Sequence, residues 1–219
     1  MNALRKIFTN GRLATFLIVA ILLIDQAIKI WVKTSMTLHE SIYITDWFYI
    51  SFIENNGMAF GMQLGSKIVL SLFRVAAIAF LGYYIWCEVK KKARTGYIVC
   101  LSMVLAGAAG NLIDCMFYGL VFNNSSEFYQ SYFVPFGTGY APFLMGKVVD
   151  MFYFPLIETE WPLWMPFVGG EHFVFFSPVF NFADASISVG VVLLLLFYRL
   201  EISQITLKKK VPEESNPEV

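Results

Sequence analysis

Charge is scarce in this sequence. Only 15% of the 219 residues are Asp, Glu, Lys or Arg, where a soluble domain averages about 25%. Sixteen basic residues cancel sixteen acidic ones, so no basic surface points to nucleic acid as a partner. Histidine is nearly missing. His39 and His172 stand far apart, which excludes the two His at i,i+4 with a Glu that a helical zinc peptidase needs. A Ser-His-Asp triad would have to use one of these two, and no G-x-S-x-G elbow accompanies them. No thiol–imidazole pairing and no Walker-type phosphate loop occurs. The three cysteines, Cys87, Cys100 and Cys115, are odd in number and scattered. They form no disulfide framework and read as buried inert thiols.

What is abundant is apolar surface. Hydrophobic residues make up 58% of the chain and aromatics 17%, and mean hydropathy is +0.63. Four stretches, about 13–32, 68–86, 96–113 and 182–200, come close to the roughly 20 residues that cross a bilayer core. The first follows Arg5, Lys6 and Arg12 but is long, contains Asp25 and Lys29 and lacks an A-x-A cleavage site. It therefore reads as a retained helix and not as a secretory signal. Lys and Arg cluster in the N-terminal tail, in "EVKKKART" between spans two and three, and in "LKKK" near the end. With four spans all three segments share one side, the cytoplasm by the positive-inside rule. The opposite connections, 33–67 and 114–181, carry only Lys33, Lys67 and Lys147.

The expected fold class is thus an all-α membrane protein with four transmembrane helices and both termini cytoplasmic. Residues 1–207 form a single polytopic domain, and 208–219 a disordered tail rich in Lys, Glu and Pro. Within the outer connections "SIYITDWFYISFIE" predicts a strand or hairpin and "KVVDMFYFPL" a short strand. "ENNGMAFG" predicts a turn. Trp161, Trp164 and nearby Phe residues suit the headgroup interface.

Polar residues can be placed by depth. Asp184 lies about a turn below the outer surface in span four, inside an apolar run where a carboxylate costs roughly 2.5–3.5 kcal/mol on insertion scales. Asn181 precedes it by one turn. Asn111 and Asp114 stand i,i+3 at the outer end of span three, after the small residues Gly107 to Gly110, where another helix can approach closely. Asp150 lies in the second outer connection and Asn55 in the first. Each has a plain structural use: Asn111 and Asp114 as helix caps, Asn55 in a turn, Asp150 as a solvated carboxylate. Asp25 and Lys29 fit an ion pair within span one, which Arg74 could join. Intramembrane ionisable residues are functional by default, and the chemistry left is that of two carboxylates. An aspartyl pair shares one proton because like charges about 3 Å apart cannot both ionise. The ionised member takes a proton from water; the protonated one hydrogen-bonds the carbonyl oxygen under attack. Asp150 and Asp184 are the candidates, with Asn111, Asp114 and Asn181 placed to orient them. A small ion or proton transporter lined by Asp25, Lys29, Arg74 and Asp184, or a structural membrane subunit, are the competing interpretations.

"DQAIK", "NNGMAFG", "AGAAGNLID", "VVDMF" and "FNFADASISVG", in this order on four spans, resemble lipoprotein signal peptidase, or signal peptidase II, across nearly all of residues 13–200. The resemblance implies a bacterial inner-membrane aspartyl endopeptidase with a small outer β-sheet platform. Such an enzyme cuts diacylglyceryl-modified prolipoproteins just before the lipidated cysteine and is blocked by globomycin-type antibiotics. It implies Asp150 and Asp184 as catalytic residues. Asp25, Asn55, Gly110, Asn111, Asp114, Asn181 and Ala183 become the substrate pocket. Neither a metal nor an organic cofactor is implied; lipid and the prolipoprotein are the expected partners of a monomer. Two features depart from the family pattern. Cys115 stands where Arg commonly follows G-N-L-I-D, and the connection from 116 to 147 is long, readable as a lid, a partner surface or a tolerated insertion.

Overall fold

An apolar run in lipid must satisfy its own backbone, so it becomes a helix. The computed structural model describes residues 10–55 and 67–208. The expected turn after Asn55 and the tail from 209 lie outside these residues. Among the described residues three helices are long and apolar enough to cross a membrane: α1 (Asn10–Ser35), α2 (Lys67–Lys90) and a third running from Thr95 to Val121. The third consists of α3 (Thr95–Ile113), a π-helical turn at Asp114–Tyr118 and a last turn, α4 (Gly119–Val121). It does not stop at 113 as the hydropathy pattern predicts, because the wider π turn carries the helix past the polar Asp114. Asn111 and Asp114 therefore do not cap a helix end.

The last apolar helix, α5 (Phe182–Phe197), has only 16 residues, and α6 (Arg199–Lys208) continues the chain. The span expected to reach residue 200 thus breaks at Tyr198, and α6 ends at Lys208, where the expected tail begins. Helices α1, α2 and α5 keep many apolar side chains on the outside, Phe16, Leu23, Phe73, Phe80 and Leu195 among them, as helices immersed in lipid do.

Small residues set the helix spacing. A Cβ on Gly107 would fall 2.3 Å from the Ala183 carbonyl oxygen, and one on Gly190 would fall 2.9 Å from that of Cys100. Only glycine lets α3 and α5 touch backbone to backbone. Below this contact Tyr97, Ile98, Leu101, Leu194, Ile85 and Ala14 form one buried cluster.

A second cluster lies where α1 ends against the strands: Val32, Met36, Phe52, Tyr118, Phe122, Val149 and Met151. Here β1 (Ser41–Thr45), β2 (Phe48–Asn55) and β3 (Val148–Tyr153) form an antiparallel sheet in the order β1-β2-β3. Both predicted strand regions are present, and β1 and β2 are the expected hairpin. Asp150 is accordingly a strand residue, opposite Ile53 in β2. An isolated bridge between Phe152 and Phe180 ties β3 to the chain entering α5. The segment between them forms a separate hairpin, β4 (Ile157–Glu160) with β5 (His172–Phe175). Leu163, Trp164 and Phe167 are exposed near its tip.

The long connection after α4 folds back on its own beginning. Phe133 bridges Phe122, the Val134 amide donates to the Val121 carbonyl at 2.8 Å and the Gly146 amide to the Cys115 carbonyl at 2.9 Å.

Candidate active site

Asp184 is fixed by the start of its own helix. Asn181 caps α5: its Oδ1 accepts from the Asp184 amide at 2.9 Å, and Asp184 Oδ2 accepts from the Asn181 amide at 3.4 Å. This reciprocal capping box satisfies two of the amides a helix leaves unpaired and sets a carboxylate at the positive end of the helix dipole. Asn181 then reaches outward. Its Nδ2 donates to Asp150 Oδ1 at 2.6 Å and to Asn111 Oδ1 at 3.1 Å. The other carboxylate oxygen of Asp150 accepts from Asn55 Nδ2, and Asp184 Oδ1 accepts from Asn111 Nδ2 at 2.7 Å. Three asparagines from three elements thus supply the donors around two aspartates.

Beneath them lies a buried ion cluster. Lys29 Nζ sits 3.0 Å from Asp25 Oδ2 and 2.8 Å from Asp114 Oδ2, all three side chains fully buried, and donates to Asn111 Oδ1 at 2.8 Å. Asp25 Oδ1 accepts from the Ala183 amide at 2.9 Å, and Asp114 Oδ2 from the Val149 amide at 3.3 Å. Each carboxylate therefore holds the backbone beside one aspartate of the upper pair. Gln26 Nε2 joins Asp25 at 3.1 Å to Asp114 at 2.9 Å. Gly110 is needed here because a Cβ would fall 2.7 Å from Asp25 Oδ2 and 3.3 Å from Ala183 Cβ.

All nine sequence-predicted residues thus converge: Asp25, Asn55, Gly110, Asn111, Asp114, Asp150, Asn181, Ala183 and Asp184. Lys29 and Gln26 complete the network. The i,i+4 pairing of Asp25 with Lys29 gave a reason to treat Lys29 as locally satisfied, while its partner from the π turn was hidden. Arg74 is not the charge that joins this pair; Asp114 is. Arg74 Nη1 donates instead to Cys115 Sγ at 3.4 Å.

Asp150 is 2% exposed. Burial and the neighbouring Asp184 charge push its carboxyl up to about 7, against the opposing pull of the Asn181 and Asn55 donors and of Lys29. Asp150 therefore keeps its proton up to near neutral pH. The arrangement can both accept a proton from water and donate one to an oxygen or nitrogen. Asp184 and Asn111 also line a cleft of about 300 Å³, whose walls include Phe73, Arg74, Leu81 and Val104. Among the described residues no three His, Cys, Asp or Glu side chains gather as a metal ion would require.

The sequence profile of the family described as signal peptidase (SPase) II matches residues 17–200. The chain belongs to the signal peptidase II family. It is similar to a lipoprotein signal peptidase of Porphyromonas gingivalis, 50% identical over 214 residues that cover 95% of this chain and 94% of that protein. It is also similar to one of Amoebophilus asiaticus, 35% identical over 203 residues covering 90% and 81% of the two chains. Two solved bacterial membrane enzyme structures share the fold. One has a TM-score of 0.54 at 24% identity, over 84% of this chain and 90% of that one. The other has a TM-score of 0.55 at 22% identity, over 94% and 93%. As a signal peptidase II the protein is an enzyme, a peptidase of lipoprotein processing. Its departure at Cys115 has a local counterpart, since the guanidinium beside this position comes from α2 in the form of Arg74.

Proposed function

We propose that Asp150 and Asp184 are the catalytic pair of a membrane aspartyl endopeptidase that removes signal peptides from diacylglyceryl-modified prolipoproteins. The observation that carries this is the shared donor Asn181, which binds both aspartates while Asn55 and Asn111 each hold one. The ionised carboxylate takes a proton from water, and the water oxygen attacks the scissile carbonyl carbon. The protonated carboxyl hydrogen-bonds the carbonyl oxygen as negative charge develops there. Collapse of the tetrahedral intermediate transfers a proton to the amide nitrogen and releases the lipidated cysteine with a free amine. Asp25, Asn55, Gly110, Asn111, Asp114, Asn181 and Ala183 shape the pocket around this bond.

The chain is a single polytopic domain with four spans in the bacterial inner membrane, both termini cytoplasmic and the three-stranded sheet outside. Support comes from the Lys and Arg distribution and from the three long apolar helices. The fourth span, α5, is about 24 Å long at 1.5 Å per residue, short of the ~30 Å core. Arg199, two residues past its end, reaches the cytoplasmic headgroups by extending its side chain. The β4–β5 tip, with Trp164 and Phe167, rests in the outer headgroup layer. The substrate is a single helix with acyl chains at its outer end. It enters laterally along the cleft that Asn111 and Asp184 line, leaving its lipid tails in the bilayer. The enzyme acts as a monomer, without metal or organic cofactor, and globomycin-type antibiotics occupy the pocket. A transport role is disfavoured because Asp25, Lys29 and Asp114 are spent on one another at one level and do not string along a path.

The test is cleavage in detergent of a prolipoprotein with and without its diacylglyceryl group. Release of the signal peptide from the lipidated form alone supports the assignment. An inert enzyme on several lipidated substrates, or equal cutting of both forms, sinks it.

A further inference from the structure

Asn55 donates to Asp150 from the last position of β2, and its neighbour Glu54 points to the opposite side of the strand. There Glu54 enters a second buried polar cluster that touches neither aspartate. Its side chain is 2% exposed and pairs with the fully buried Lys33 of α1. Oε1 also accepts from Ser125 Oγ at 2.7 Å, and Oε2 accepts from Lys147 Nζ at 3.1 Å. Lys33 in turn donates to Ser125 at 2.8 Å and lies over the rings of Phe122 and Tyr140 at 5.3 and 5.2 Å. Ser125 and Lys147 belong to the two ends of the long insertion, and Lys147 stands three residues before Asp150. The strand register puts Glu54 opposite Val149 and Asn55 opposite Val148. One carboxylate therefore fastens α1, β2, both ends of the insertion and the strand that carries Asp150.

We propose that Glu54 is a positioning residue for the reaction, and that the 116–147 insertion serves as the other half of its clasp and not as a lid. By holding β2 in register, Glu54 keeps the Asn55 amide on Asp150. This inference rests on the assignment of Asp150 as a catalytic group.

The rival role is stability alone, and the pH profile of kcat separates the two. The Asn55 donor favours the ionised form of Asp150, so its displacement moves the alkaline limb of activity to higher pH. Asp184 of α5 faces Asp150, as does Lys29 of α1, whose charge is shared with Asp25 and with Asp114 of the π turn. None of these changes in the variants used. Simple removal of the Glu54 negative charge acts in the opposite sense, since it eases ionisation of Asp150 and moves the limb down.

The experiment measures kcat and KM against pH on a lipidated prolipoprotein for wild type, Glu54→Ala, Glu54→Gln, Asn55→Ala and the Glu54→Ala/Asn55→Ala double variant. The expected result for Glu54→Ala is an upward shift of the limb, as in Asn55→Ala, with kcat down about tenfold, the scale of one hydrogen bond to a charged group. KM is little changed, and the double variant shifts no further than Asn55→Ala alone. Glu54→Gln keeps an acceptor for Lys33 and Ser125 but loses the charge, so its kcat stays close to wild type and its limb does not move up. An unmoved or lowered limb in Glu54→Ala overturns the proposal. If Glu54→Ala does not fold, the neutral variant Ser125→Ala decides by the same criterion. Asp150→Asn is measured in parallel: if it still cuts, the catalytic assignment fails, whatever Glu54 does.

Discussion

Asp150→Asn should make the folded protein more stable at alkaline pH while abolishing cleavage. The carboxyl stands at about 7 in the folded protein, chiefly through burial and then through the Asp184 charge, and near 3.9 in the unfolded chain. Below about pH 4 both states hold the proton and no free energy is at stake. Between about 4 and 7 the unfolded chain releases its proton while the folded protein does not. Stability then falls by about 1.4 kcal/mol per pH unit, and about 4 kcal/mol has gone once the folded carboxyl ionises. Asparagine cannot ionise, so the variant escapes this loss. It carries its own penalty, because both Asn55 and Asn181 donate to Asp150 and an amide offers only one oxygen. That penalty, about 1–3 kcal/mol for a buried group left unpaired, does not depend on pH. The assay is thermal unfolding in detergent, wild type against variant, from pH 4 to pH 8.5. The difference between them should move in favour of the variant by up to about 4 kcal/mol as pH rises through this window. A difference that stays constant with pH, or that favours the variant only in acid, would refute the reasoning.

Two further predictions concern the ion cluster below the pair. Lys29→Met leaves Asp25 and Asp114 buried without their shared cation. It should lower stability by about 3–5 kcal/mol, the usual loss when one partner of a buried pair is removed, read as a lower midpoint in thermal unfolding. Gly110→Ala forces a methyl group to 2.7 Å from Asp25 Oδ2. It should cost about 1–3 kcal/mol and depress kcat, because the displaced Asp25 carries the Ala183 amide beside Asp184; a Gly110→Ala enzyme of wild-type kcat would count against that route.

Much of this arrangement was legible from local pattern. Apolar length located α1, α2 and α3, and β-branched and aromatic runs located β1, β2 and β3. The D-Q-x-x-K, G-N-L-I-D and F-N-x-A-D motifs named residues that the fold brings together. What escaped was held by contacts between distant positions. Lys29 looked satisfied by Asp25 four residues away, yet Asp114, far along the chain, is its closer partner. Lys33 counted only as an outer-side charge, although its stem ends α1 and its ammonium is buried against Glu54. The break at Tyr198 was invisible to hydropathy, since Leu196, Phe197 and Leu200 are equally apolar on either side of it. The β4–β5 hairpin was obscured by Pro162, Pro166 and the paired glycines, which read as irregular chain. Periodicity reports which face of an element is apolar; it carries no record of which distant side chain meets it.

The central claim is that Asp150 and Asp184 act together on water. The most direct test is the cleavage of a diacylglyceryl-modified prolipoprotein by wild type, Asp150→Asn and Asp184→Asn, each first shown to be folded by thermal unfolding. The account predicts signal-peptide release by wild type, and loss of it in both variants of at least about a hundredfold, the low end for a missing acid or base. Cleavage at the wild-type rate by either folded variant would contradict it.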